Sequence, residues 1–240
     1  MSEKVQREFF ERLAARYDSR FCRSRWARNQ QLKAAQVAKV LGPAMREGPI
    51  IEIGCGTGQI AAELLAANPG LRYVGADLSP GMLDIARGRL AAYEDRVELR
   101  VAERNEVPSN GDRYAGAFGI DVLHHVETAP ELLRNLRSTL HPGGPVVFLE
   151  ANPIFPITTV VGLIYKEERG VFNMRPKILG PWLRDAGFQQ VDVSLGPVYT
   201  PPGPERLSPA LDWIDRALAK TPLVRNLALY FKAQGRAPAA

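Results

Sequence analysis

Three glycines alternate in the stretch IIEIGCGTGQIAAELL, residues 50–65, where an apolar run gives way to a helical one. Gly54, Gly56 and Gly58 strip that turn of side chains. Glycine gives up more backbone freedom on folding than any other residue, so the turn must need unusual dihedrals or a close neighbour at its backbone. An acid, Asp77, follows 19 residues beyond Gly58. At the tip of the next strand it can reach a ribose diol. The spacing then discriminates between ligands. A G-x-G-x-x-G dinucleotide turn would place glycine at 59, which is Gln59, and a P-loop would carry a lysine that this turn lacks. The G-x-G-x-G form suits a nucleoside without phosphates.

The chain also holds three histidines. His124 and His125 follow the fourth strand signal at its ligand-facing end, where a general base would stand. His125 is the first candidate for that base and His124 the second, with helix packing as the competing use of both. His141, in LHPGG, reads as a surface turn residue. Adjacent histidines without a third clustered ligand do not make a metal site, so none is expected. The two cysteines, Cys22 and Cys55, show no metal-ligand or CxxC spacing. Cys55 has no adjacent base or cationic setting to activate it and reads as a small residue filling the turn.

These residues need elements to position them, and strand and helix signals alternate from residue 50 onward. IIEIG, LRYVGAD, VELRVA (97–102), YAGAFGID (114–121), PVVFLEAN (145–152), FQQVDVSL and NLALYFKAQGR read as strands. Between them, QIAAELLAANPG is a helix closed by Asn-Pro-Gly, and SPGMLDIARGRLAAY starts with Ser79 as N-cap and Pro80 in the first turn. Further helices are expected over APELLRNLRSTLHPGG, around 176–186, and from Ser208-Pro209 to about Lys220. The pattern predicts an α/β fold, a doubly wound and mostly parallel sheet. Residues 1–48 form a helical lid or arm, and 49–240 the ligand-binding domain with cap additions at about 153–186 and 201–226.

A chain of 240 residues, 45% hydrophobic, can bury one sizeable core. The N-terminal MSEKVQREFFERLAARYD is charged throughout and has no signal-peptide core. The longest apolar run, 154–165, is too short to span a bilayer. Cysteine usage fits a reducing compartment, so the expectation is cytoplasmic. The net charge of +5 is uneven: residues 1–48 hold 11 Lys/Arg against 5 Asp/Glu, leaving the rest slightly acidic. Arg20, Arg23, Arg25 and Arg28 carry the excess, either as a solvated helix face or as an arm for an anionic partner.

Five ordered segments resemble the class I S-adenosylmethionine-dependent methyltransferases. IEIGCGTG is similar to their first motif, GADLSPGMLDIAR to their second, VAERNEVP to the segment beside the adenine, GIDVLHHV to the end of the fourth strand, and LHPGGPVVFLE to the turn into the fifth. The resemblance covers about 50–152, and FFERLAARYD looks like the family's lid helix. It implies a Rossmann-like sheet of seven strands with the last antiparallel, and S-adenosyl-L-methionine as cofactor with S-adenosyl-L-homocysteine as product. It also implies roles. Gly54, Gly56 and Gly58, with Cys55 among them, admit the amino-carboxypropyl arm, and Glu52 orients that region. Asp77 accepts from both ribose hydroxyls. Leu78 and Met82 flank the adenine, Glu103 and Arg104 stand where the family has its adenine-binding Asp and an Ala, and Ile120 with Asp121 lines the methionine end. Tyr17 closes over the cofactor from the helix face Val5, Phe9, Leu13, Tyr17.

The acceptor is read from what surrounds the cofactor. The apolar segment after the fifth strand and the helix with Leu211, Ile214 and Leu218, continuing to Leu223, suggest a hydrophobic small molecule: a natural product, a quinone-like ring or a lipid. The basic residues at the N-terminus then allow peripheral contact with an anionic membrane surface. Two alternatives stand beside this: an RNA methyltransferase using the basic arm, against which the chain offers no added RNA-binding domain, and a noncatalytic cofactor-binding protein.

Overall fold

The computed structural model describes all residues except 1, 2, 22, 23, 104, 110, 112, 199, 201–204, 222, 223 and 240. In chain order it comprises α1 (Glu3–Phe21), α2 (Ser24–Leu41), α3 (Ala44–Glu47), β1 (Pro49–Ile53), α4 (Gln59–Ala67), β2 (Arg72–Asp77), α5 (Pro80–Arg89), β3 (Val97–Val101), β4 (Gly116–Ile120), α6 (Ala129–Ser138), β5 (Pro145–Ala151), α7 (Pro156–Ile164), α8 (Pro176–Asp185), β6 (Gln189–Leu195), α9 (Ser208–Ala219) and β7 (Tyr230–Arg236). Short 3-10 turns fill 91–96, 123–125, 166–173, 205–207 and 225–227.

The strands form one seven-stranded sheet in the order β3-β2-β1-β4-β5-β7-β6. β1 to β5 pair in parallel, whereas β7 runs antiparallel between β5 and β6. The order reverses beside β1, so the carboxyl ends of β1 and β4 diverge and open a crevice there. β1 shows why its sequence is apolar on both faces. Ile50 packs with Leu41, Leu64 and Leu65 on one side, and Ile51 with Leu132, Leu136 and Phe148 on the other. Helices cover both faces of a parallel sheet, which removes the polar alternation of a half-exposed strand.

The expected helix signals are realised. Ser79 caps α5 by accepting from the Met82 N–H at 3.2 Å, with Pro80 in the first turn. The stretch 153–172 resolves into α7 and the 3-10 turn that follows it. No helix among the described residues is long and apolar enough to cross a membrane.

Candidate active site

A cavity of about 410 Å³ lies at the carboxyl ends of the strands, lined from the tips of β1, β2, β4 and β5 and roofed by α1, α2 and α7. Its floor is the glycine turn. Gly54, Gly56 and Gly58 have φ of +70°, +52° and +74°, the left-handed region that side chains resist. The N–H groups of Gly54 and Cys55 both donate to the Ala76 carbonyl, at 2.8 and 3.0 Å, which fixes the turn against β2. A Cβ on Gly54 would lie 2.4 Å from Val122, whereas one on Gly56 would project into open space. Gly54 and Gly56 line the cavity; Gly58 instead starts α4 and faces Ala86 and Leu90 of the α5 region.

Asp77 is anchored at the cavity edge. Its two oxygens accept from the Gly56 N–H at 2.8 Å and the Ser79 N–H at 2.9 Å. Burial raises its pKa, and those backbone donors oppose the rise. Glu52 is buried within β1 and accepts from the Tyr73 hydroxyl at 2.5 Å. Burial, and less strongly the neighbouring Asp77 charge, pushes its pKa to about 8, against the Tyr73 hydrogen bond. Cys55 is buried beside them, and burial pushes its thiol well up, so it is held as the unreactive thiol. Leu78, Met82, Glu103 and Ile120 also line the cavity, with Glu103 at the exposed edge. Arg104 lies outside the described residues. These placements provide a bare backbone floor, an acid at each of two strand tips and an apolar slot, which together match the dimensions and chemistry of S-adenosylmethionine.

α1 covers the cavity, onto which it lays Gln6, Phe10 and Tyr17. Three polar anchors hold it, none of them anticipated from the sequence. Asp18 accepts from Thr57 at 2.8 Å and Gln59 at 3.0 Å and pairs with Arg89, which also reaches Thr57. Glu11 accepts from the Ser79 hydroxyl at 2.6 Å and the Gly81 N–H at 3.1 Å. Gln6 donates to the His125 carbonyl at 2.5 Å. Acids spaced seven apart on one helix were the available signal, but they read equally well as a solvated face.

Opposite the glycine turn, His124 and His125 occupy the 3-10 turn after β4. His124 is buried, its Nδ1 2.7 Å from Glu150 Oε2 and its Nε2 3.5 Å from Glu168 Oε2. The other Glu150 oxygen accepts from the Val122 and Leu123 N–H groups at 3.1 and 2.8 Å. Burial alone would lower the His124 pKa, but the two carboxylates override it and push it up to about 10. His125 moves the other way: burial and then the His124 charge take it down to about 3. Its ring packs edge-on against Phe10. The expectation that no third group would join the histidines is corrected. Glu168 does so, with one donor atom from each of the three within 4.8 Å of the others. With a carboxylate at each of its nitrogens, the His124 ring is placed to hold a proton. Glu150 was visible as an acid in an otherwise apolar strand; Glu168 carried no signal.

Two other expectations are revised. α7 reaches the cavity through Ile157, Thr158 and Val161, but α9 contributes no wall among the described residues. Arg28, expected on a solvated face or an arm for an anionic partner, is 7% exposed and binds Asp212 at 2.6 Å and Asp215 at 2.5 Å. It ties α2 to α9, because a buried guanidinium must be paired. The side chains of Arg20, Arg23 and Arg25, and residue Leu223, lie outside the description.

Comparison with known proteins agrees with this geometry. A family model described as "Methyltransferase domain" matches residues 51–146. A demethylmenaquinone methyltransferase of Symbiobacterium thermophilum is 30% identical over 162 residues, 64% of this chain and 61% of that protein. One from Clavibacter sepedonicus is 30% identical over 190 residues, covering 68% and 74%. Among solved structures, a Thermotoga maritima S-adenosylmethionine-dependent methyltransferase, described as a possible histamine N-methyltransferase, superimposes with a TM-score of 0.65 at 18% identity. That match covers 96% of this chain and 99% of that one. The glycine floor, the acid at the tip of β2 and these likenesses together place the chain in the S-adenosylmethionine-dependent methyltransferase family.

Proposed function

We propose that this methyltransferase acts on a small, largely apolar acceptor bearing an acidic hydroxyl or enol, methylated at a carbon or oxygen of that system. The observation that carries this reading is His124, held between Glu150 and Glu168 on a wall shared with Phe10, Ile157 and Val161. Bound S-adenosylmethionine supplies an electrophilic methyl group on a sulfonium. Gly54 and Gly56 give its amino-carboxypropyl arm room, Asp77 holds the ribose, and Glu52 braces the floor through Tyr73.

His124 supplies positive charge beside the acceptor. A phenolic or enolic hydroxyl has an ordinary pKa near 10, as tyrosine has. Glu150 and Glu168 push the His124 pKa up to about 10, so its ring stays protonated at neutral pH and favours the acceptor's anion, whose proton goes to solvent. The acceptor is then an anionic nucleophile beside an imidazolium that Glu150 keeps in place. His125, whose pKa is lowered to about 3, stays neutral next to it. The relatives named for demethylmenaquinone support a ring-type acceptor of this kind. Transfer of radiolabelled methyl to hydroquinone, naphthol and 1,3-dicarbonyl compounds, against amines of similar size and RNA, tests the reading. Label found only in the amines or RNA would end it.

A peripheral contact with an anionic membrane surface is supported by α7. Its inner face lines the cavity, while Ile154, Val160, Leu163 and Ile164 are 52–65% exposed outside. Lys166 and Arg169 are exposed just beyond. An apolar helix face with a basic edge suits the lipid interface and would bring a lipophilic acceptor to the cavity.

A further inference from the structure

We infer that Glu168 is a positioning residue that makes the setting of His124 depend on how α7 and the turn after it are seated. The chain of contacts starts on α7. A Cβ at Gly162, in the middle of that helix, would come 2.8 Å from the Phe172 ring and 3.1 Å from Val171, both in the 3-10 turn at 166–173. Val171 is buried, so helix and turn are packed as one body.

That body is pressed onto the histidines. A Cβ at Gly170 would overlap the His124 carbonyl oxygen, a backbone atom that cannot swing aside. Gly170 does not have a left-handed φ, so the close approach alone keeps a side chain out. The approach delivers Glu168, two residues earlier, whose Oε2 is 3.5 Å from His124 Nε2 and 3.7 Å from His125 Nε2. No hydrogen bond reaches the buried His124 Nε2 among the described residues, so this ion pair is what offsets its burial. The other charges around the histidines belong to the sheet: Glu150 in β5, and Asp121 after β4, itself paired with Lys33. Glu167 reaches His125 through its backbone, and α1 meets it through Gln6 and Phe10, neither of them charged. Lys166 and Arg169 are exposed. Glu150 is therefore fixed in the sheet, whereas Glu168 travels with α7. With the helix seated, His124 faces two carboxylates; with it displaced, only one. The consequence for methyl transfer rests on the role proposed above for His124, but the coupling itself does not.

Nitrogen NMR of the His124 imidazole across pH tests this in wild type, Glu168→Gln, Gly170→Ala and the charge control Arg169→Gln. Gly170→Ala is decisive, because it alters no charge and only pushes the turn off the His124 carbonyl. It should lower the His124 midpoint by about 0.5 pH unit or more, Glu168→Gln by about 1 or more, and Arg169→Gln by less than about 0.2. Rates on the best acceptor should show the basic limb moving by the same amounts. A titration that moves while the rate profile stays put ends the role proposed for His124 in transfer and leaves the coupling standing. A His124 midpoint unmoved in either Glu168→Gln or Gly170→Ala overturns the inference, as does an equal shift in Arg169→Gln. If Gly170→Ala does not fold, Gly162→Ala, which displaces the turn from the α7 side, takes its place.

Discussion

Replacing Glu150 with Gln tests the proton-holding role of His124 with almost no change of shape. The amide oxygen can still accept from the Val122 and Leu123 N–H groups, so the turn after β4 keeps its anchor. What changes is the group facing His124 Nδ1, which becomes an amide donor. It forces the ring to accept there and removes the site of one proton. The rise of the His124 pKa from 6.5 to about 10 corresponds to roughly 5 kcal/mol in favour of the charged ring, at about 1.4 kcal/mol per tenfold change. Glu150, at 2.7 Å against 3.5 Å for Glu168, is the larger of the two carboxylate contributions. A raised histidine value stabilises the charged form below the unfolded pKa, and that contribution fades as pH rises through the folded one. The basic limb of the rate profile should therefore fall from near 10 in wild type by about two pH units in Glu150→Gln. Turnover should be little changed at pH 7 and drop roughly tenfold near pH 9, with S-adenosylhomocysteine affinity within about twofold. Nitrogen NMR of the imidazole across pH, alongside rates on the best acceptor, reads both quantities. An unchanged His124 titration, or a loss confined to cofactor binding, would refute the assignment.

Gly56→Val should abolish cofactor binding by calorimetry, since a branched side chain would enter the cavity from a left-handed backbone position that it cannot adopt. Asp77→Ala should weaken S-adenosylhomocysteine by about 1.5–3 kcal/mol, the range for hydrogen bonds to a charged group, and 2′-deoxyribose analogues should show a matching loss in wild type. Asp18 is held below its usual range by Thr57, Arg89 and Gln59 despite burial, so the lid clamp is intact above about pH 3.8 and lost as pH falls through the lowered folded value. Asp18→Asn should remove that acid sensitivity and speed proteolysis within residues 3–21 several-fold at neutral pH. Leu163→Gln with Ile164→Gln should abolish low-salt sedimentation with anionic vesicles while leaving soluble-acceptor turnover within twofold.

The sheet was legible because hydrophobic burial writes itself into local sequence. Runs such as IIEI and PVVFLE are apolar wherever both faces are covered, and Ser79-Pro80 marks a helix start by its own backbone chemistry. The cofactor floor was legible for a similar reason: left-handed φ at Gly54 and Gly56 strongly favours glycine. Contacts made across the chain were not. Glu168 comes from the turn after α7 and His124 from the turn after β4, and no local pattern relates them. Arg28 looked like part of a basic face because its partners, Asp212 and Asp215, are more than 180 residues away.

The three anchors of α1 also bear on how the cofactor is exchanged. Gln6, Glu11 and Asp18 reach the loops that follow β4, β2 and β1, so one helix bolts together the strand tips around the cofactor. Phe10 and Tyr17 lie over the cavity beneath those bolts. If S-adenosylhomocysteine leaves only when this helix lifts, breaking the Asp18–Arg89 pair should speed its release, and stopped-flow dissociation from Asp18→Asn against wild type reads that difference.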